Sequence, residues 1–197
     1  LVLRGRCKQC KKHISLRYPF VEAVTALMSG LVAWHFGFSL LALAALIFVW
    51  ALIVLAVIDL DTQLLPDDIT LPLLWLGILI NLNNGFTDIH GAVIGAVVGY
   101  LSLWSTYWCF KLITGKEGMG YGDFKLLAAI GAWLGWGMLP IVIVFSSLMG
   151  AVVGIGLIMS ARHNKNMPIP FGPYLVSGAL IALFVGNDIN QLYLSLF

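Results

Sequence analysis

Seven apolar runs, at about 19 to 37, 39 to 58, 69 to 84, 90 to 113, 123 to 137, 138 to 160 and 173 to 187, are separated by short polar or Pro/Gly-rich breaks. Runs of 15 to 24 residues are too long for strands and show no alternation, so the pattern predicts helices on the scale of a bilayer crossing. Two of them, 69 to 84 and 123 to 137, are short and begin at the cytoplasmic face. They are bounded by Pro66 and by Gly118, Gly120 and Gly122. Short helices that begin inside protein can leave a water-accessible recess, provided their freed backbone groups are satisfied there; local bilayer thinning or tilt is the competing explanation. Gly91, Gly95 and Gly99, and likewise Gly150 and Gly154, have the small-xxx-small spacing that suits close helix contact.

Composition agrees with this pattern. Of 197 residues, 60% are hydrophobic and 10% charged, and the mean hydropathy is +0.97, against roughly 25% charged residues in soluble domains. The expected fold class is all-α: a polytopic membrane helix bundle of about seven transmembrane helices, some short at the cytoplasmic face. A formal net charge of +2 gives no reason to expect a nucleic-acid partner, and the placement of the charges says more than their sum. Threading seven spans puts residues 1 to 18 and the loops at 59 to 68, 114 to 122 and 161 to 172 on one side. All eleven Lys and Arg residues, from Arg4 to Lys165, fall on or next to that side. The positive-inside bias makes it cytoplasmic. The chain begins with Leu1, so it reads as a fragment or processed form, and no cleavable signal peptide is visible.

Candidate chemistry sits at the ends of the apolar runs. Asp59, Asp61, Asp67 and Asp68 crowd into the first loop on the basic side, and Asp123 closes Gly120-Tyr121-Gly122-Asp123. A carboxylate beside hydrocarbon is costly and marks function. Two that meet at one membrane face form an acid/base pair sharing a proton. Structural roles compete with this at each position. Asp67 and Asp68 follow Pro66 and are expected to cap the helix that begins there, and Asp123 is equally placed for a helix cap. Spacing alone does not choose between Asp59 and Asp61. His13, His35, His90 and His163 are scattered and offer no metal site or nucleophilic triad. Trp34, Trp133 and Trp136 are expected as membrane-boundary anchors.

Ile58-Asp59-Leu60-Asp61 leading to Leu64-Leu65-Pro66-Asp67, followed by Gly120-Tyr121-Gly122-Asp123-Phe124-Lys125-Leu126, resembles the type IV prepilin peptidase family, membrane aspartyl proteases of the G-x-G-D type. The resemblance extends to Arg17-Tyr18-Pro19-Phe20-Val21-Glu22 and covers nearly the whole chain. It implies cleavage of the leader from prepilins or pseudopilins at the cytoplasmic face of the bacterial inner membrane, with the bilayer and the pilin as partners. By motif it assigns catalysis to Asp59 and Asp123, 64 positions apart. It implies no cofactor for proteolysis. In bifunctional members it also implies N-methylation by S-adenosylmethionine and a cytoplasmic zinc module with two C-x-x-C pairs. This chain carries one pair, Cys7-Lys8-Gln9-Cys10, read as half of a structural zinc site, with two free thiols as the alternative. The resulting organisation is a cytoplasmic segment at 1 to 18 and a transmembrane peptidase domain at 19 to 197.

The expected mechanism places one water between the two carboxylates, one acting as base and the protonated partner as acid. Helix ends give an order: Asp59 closes a helix, where negative charge is disfavoured, and Asp123 opens one, where it is favoured, so Asp59 is expected to hold the proton. A proton-coupled transporter or channel and a non-catalytic subunit of a secretion or pilus apparatus are the alternative readings. A transporter requires acids near the midplane and inverted repeats, and neither is evident here.

Overall fold

The computed structural model describes residues 15–116, 118–159 and 170–195. Among them are seven α-helices, α1 (Arg17–Phe36), α2 (Leu40–Thr62), α3 (Asp67–Asn81), α4 (Ile89–Thr114), α5 (Tyr121–Leu134), α6 (Leu139–Met159) and α7 (Gly172–Leu194), with a 3-10 turn at Trp136–Met138 and no strand. Each predicted apolar run becomes a helix. The largest boundary difference is at α7, which continues seven residues beyond the predicted end at 187. Five helical stretches are long and apolar enough to cross a membrane, so the chain is a multi-pass membrane protein with an all-α fold.

The two helices that fall short are α3 and α5, with 15 and 14 residues. At 1.5 Å per residue they extend about 22 and 21 Å, against the roughly 30 Å of a hydrocarbon core. The shortfall in α5 goes with its position. Every residue of it except Tyr121, Gly122 and Lys125 is buried, with α3, α4 and α7 packed around it.

The chain divides into two compact units, Leu1–Trp50 and Ala51–Phe197, with α2 running through the boundary. In the first, Ser39 caps α2 by accepting a hydrogen bond from the Ala42 N–H at 3.1 Å, and the Trp50 indole N–H donates to the Ser29 hydroxyl at 2.9 Å, tying α2 to α1. In the second, α5 is held by two devices. Gly95 and Gly99 of α4 lie directly against the α5 backbone. A β-carbon at Gly99 would stand 2.6 Å from the Leu127 carbonyl oxygen, and one at Gly95 would collide with that of Gly131. The small-residue spacing on α4 is therefore a helix crossing at those two positions. Gly91 is different, because its nearest neighbours are the side chains of Thr87 and Asp88 before α4, and the Asp88 carboxylate caps α4 through the Gly91 N–H at 3.2 Å.

The second device lies at the far end of α5, where the helix stops at Gly135 in a left-handed conformation, φ +85°. The last carbonyls of a buried helix need donors. Asn81, fully buried at the end of α3, supplies them: its Nδ2 donates to the carbonyls of Ala132 at 2.8 Å and Trp133 at 3.0 Å, while its Oδ1 accepts from the N–H groups of Phe86 and Thr87 at 2.8 and 3.1 Å. One side chain thus satisfies both a helix end and the turn into α4. Trp133 is not the boundary anchor its composition suggested. It is fully buried, with its indole N–H donating to the Leu73 carbonyl at 2.7 Å and its ring lying where Gly77 leaves room. Trp34 and Trp136, at 85% and 57% exposure, do face outward.

Replacing Asn81 by Leu leaves two carbonyls and two N–H groups without their partner in a fully buried site, so Asn81→Leu is expected to cost about 3 kcal/mol or more. The check is thermal unfolding in detergent; an unchanged midpoint would contradict the role given to Asn81.

Candidate active site

Three chain segments far apart in sequence line one recess of about 370 Å³: the end of α2 with the turn into α3, residues 118–123 with Lys125 at the start of α5, and Pro170 with Phe171 just before α7. These are the loops that the threading placed on one side. Both short helices open onto the recess, α3 through Asp67 and α5 through Tyr121, Gly122 and Asp123, in accord with the expectation that short helices leave such a space.

The structure separates the acidic residues that spacing left equivalent. Asp59 lies in the last turn of α2, 4% exposed, and faces the recess, whereas Asp61 is exposed and does not line it. Asp123 is 7% exposed, lines the same recess, and lies close enough to Asp59 for the Asp59 charge to act on it. It is also not the cap of α5. The helix begins two residues earlier, with Gly120 as the capping residue, so the Asp123 side chain is available to the recess. The capping role expected of Asp67 and Asp68 is likewise replaced: Pro66 precedes the helix, no side chain caps it, and both aspartates lie in the first turn. Asp67 instead pairs with Lys125, whose ammonium donates to both carboxylate oxygens at 2.7 Å. That pair ties the start of α3 to α5 two residues from Asp123. Being partly exposed, it contributes position more than stability.

Of the two glycines in the G-x-G-D segment, one is required by packing. A β-carbon at Gly122 would stand 2.8 Å from the Leu65 β-carbon, so the turn after α2 can reach the start of α5 only if residue 122 is glycine. A β-carbon at Gly120 would meet nothing nearer than an Asp123 carboxylate oxygen at 3.9 Å. The sequence also gave no indication of Gly172. Its N–H donates to Asp59 Oδ2 at 2.9 Å from 113 positions away, and no spacing rule links the two. Cys7 and Cys10 lie outside the described residues. Among the described residues no group of three or more His, Cys, Asp or Glu side chains is arranged to hold a metal ion.

Gly122→Ala must push Leu65 and the turn that carries it away from α5, and is expected to cost about 1–3 kcal/mol, in the range of overpacking. Gly120→Ala is expected to stay within about 0.5 kcal/mol of the parent. Unfolding midpoints of the two variants measured side by side test this contrast; equal losses would contradict the packing account.

The model of the type IV leader peptidase family matches residues 46–155, which include both aspartates, and that of the bacterial peptidase A24 N-terminal domain matches residues 1–36. A prepilin leader peptidase/N-methyltransferase from Aeromonas hydrophila is 59% identical over 197 residues, covering 100% of this chain and 68% of that protein. Proteins of the same name from Pseudomonas aeruginosa and Legionella pneumophila are 54% and 48% identical over 194 residues, each covering 98% of this chain and 67% and 68% of their own lengths. No solved structure matches. With a family model spanning more than half of its length and relatives this similar along nearly all of it, the chain belongs to the type IV leader peptidase family.

Proposed function

We propose that this chain is a membrane-embedded aspartyl endopeptidase that removes the leader peptide from type IV prepilins or pseudopilins, with Asp59 and Asp123 as the catalytic pair. The observation that carries the reading is the convergence of two buried carboxylates on one recess. Family membership and the relatives' name supply the substrate class. Two carboxyl groups sharing one proton can activate water without a covalent intermediate. The ionised carboxylate takes a proton from a water held between the pair, and the water oxygen attacks the scissile carbonyl carbon. The protonated partner donates to the carbonyl oxygen, giving a tetrahedral diol. Collapse breaks the C–N bond as the proton gained by the base passes to the leaving amine and one diol O–H returns its proton to the partner carboxylate, restoring the shared proton.

Placement in the bacterial inner membrane with the recess facing the cytoplasm is part of the proposal. Its support is the basic cluster: Lys111 in the last turn of α4 and Lys116 just beyond it precede the segment that lines the recess, and Lys125 lies on its wall. The outward positions of the long helices are apolar, as at Val97 on α4 and Leu148 on α6, which is the surface a bilayer covers. The prepilin then presents its leader from the cytoplasmic side, with its apolar helix in the membrane. Cys7 and Cys10 are proposed as half of a structural zinc site, since two thiolates are half of a tetrahedral set. No step of the peptide cleavage runs through zinc. The relatives' name joins the peptidase to an N-methyltransferase. Methyl transfer from S-adenosylmethionine is proposed as a second activity on the same substrate, and is assigned to no residue here.

Purified protein given a synthetic prepilin in detergent is expected to release the leader, and Asp59→Asn and Asp123→Asn are each expected to lower kcat/KM by about 10²–10⁴-fold. Asp61→Asn should stay within about two-fold of the parent, as an exposed side chain outside the recess. A pair sharing one proton also requires activity to fall at both low and high pH, with the two limbs belonging to the dyad and not to either residue. Substantial cleavage by either of the two dyad variants would refute the assignment.

A further inference from the structure

The start of α7 makes the two aspartates inequivalent. A helix start presents free N–H groups, and each buried one needs an acceptor. In α7 the accounting is nearly complete: Tyr174 and Leu175 donate to the Phe171 carbonyl at 3.1 Å each, Pro173 has no N–H, and the Gly172 N–H is left for a partner outside the helix. That partner is Asp59, with the bond to Oδ2 at 2.9 Å and buried. The approach is so close that a β-carbon on residue 172 would stand 2.6 Å from the same oxygen.

We infer that Gly172 is a positioning residue of the dyad, its N–H at the head of α7 holding Asp59 as the ionised base and leaving the shared proton on Asp123. An N–H donated to a carboxylate favours the charged form, and the positive end of a 23-residue helix adds to it. The Gly120 backbone at the start of α5 favours charge on Asp123 in the same sense, but among the described residues the hydrogen bond made to the pair is that of Gly172 to Asp59, so the order suggested by the ends of α2 and α5 is reversed by a third helix. The α2 C-terminus still disfavours charge at Asp59, but its nearest orphan carbonyl is partly answered: the Asp59 backbone carbonyl accepts from Gln63 N–H at 2.9 Å. The consequence for the reaction rests on the peptidase reading above. The water proton goes to Asp59, and Asp123 protonates the scissile carbonyl.

The test uses the full chain with Gly172→Ala, which keeps the N–H but drives the carboxylate from its seat. With a prepilin peptide, kcat is expected to fall about 10- to 100-fold, as for a small displacement of a reacting group, with KM within about two-fold of the parent. Ser177→Ala, one turn further along α7, serves as the control for general disturbance of the helix and should leave both parameters unchanged. Wild-type kcat in Gly172→Ala, or a change confined to KM, overturns the positioning role. A second measurement needs no substrate and no Gly172 variant. In infrared difference spectra at neutral pH, the carbonyl stretch of the protonated carboxyl should persist in Asp59→Asn and vanish in Asp123→Asn. Its persistence in Asp123→Asn overturns the proton placement. A parent protein that releases no leader would end the peptidase reading, while the spectra would still decide which aspartate holds the proton.

Discussion

Everything in the larger unit depends on how closely α4 lies against α5. Glycines at 95 and 99 bring α4 onto the α5 backbone at Leu127 and Gly131, with no side chain between them. Dispersion is short-ranged, so such contact fixes a helix more firmly than larger side chains at the same crossing would. With α4 on one side, and α3 locked on another through Trp133 and Asn81, α5 becomes a rigid post. Asp123 and Lys125 take their positions from it. The turn after α2 is brought to it through the gap at Gly122, which carries Asp59 to the same recess.

A peptidase that works at a membrane must keep a water next to two carboxylates while the surrounding protein is apolar. The shortness of α3 and α5 answers this requirement. Helices that do not cross the full bilayer leave a recess at their starts, and the exposed polar groups of those starts are answered locally. Pro66 and Gly120 occupy the flanking positions, and the Asp67–Lys125 pair spans the rim. The pair is charged but partly exposed, so its cost of burial is small, whereas Asp59 and Asp123 are nearly sealed from solvent. That difference in burial separates the carboxylate that organises the rim from the two that carry the chemistry.

Much of this was legible in the chain. Apolar run lengths marked every helix, including the two short ones, because a run of hydrocarbon side chains long enough to need shielding from water is a local property. The lysines and arginines sorted the loops to one side, and the recess indeed gathers the turn after α2, the segment before α5 and the one before α7. What the sequence withheld are relations between distant positions. Spacing left Asp59 and Asp61 open, since both lie at a helix end and only packing buries one of them. Asp67 looked like a cap until Lys125, 58 positions away, came within 2.7 Å. Trp133 looked like an anchor because tryptophan favours interfaces, yet a glycine on a neighbouring helix gave it a buried seat. Asn81 and Gly172 carried no signal at all, one being an ordinary asparagine in an apolar run and the other a glycine at the junction of a loop and the last apolar run.

The central claim is that residues 59 and 123 face each other across one recess. With the native cysteines replaced, an Asp59→Cys/Asp123→Cys protein treated with a short bifunctional thiol reagent should yield the bridged peptide pair by mass spectrometry, and an Asp61→Cys/Asp123→Cys protein should not. Bridging of 61 as readily as 59, or of neither, would contradict the shared site.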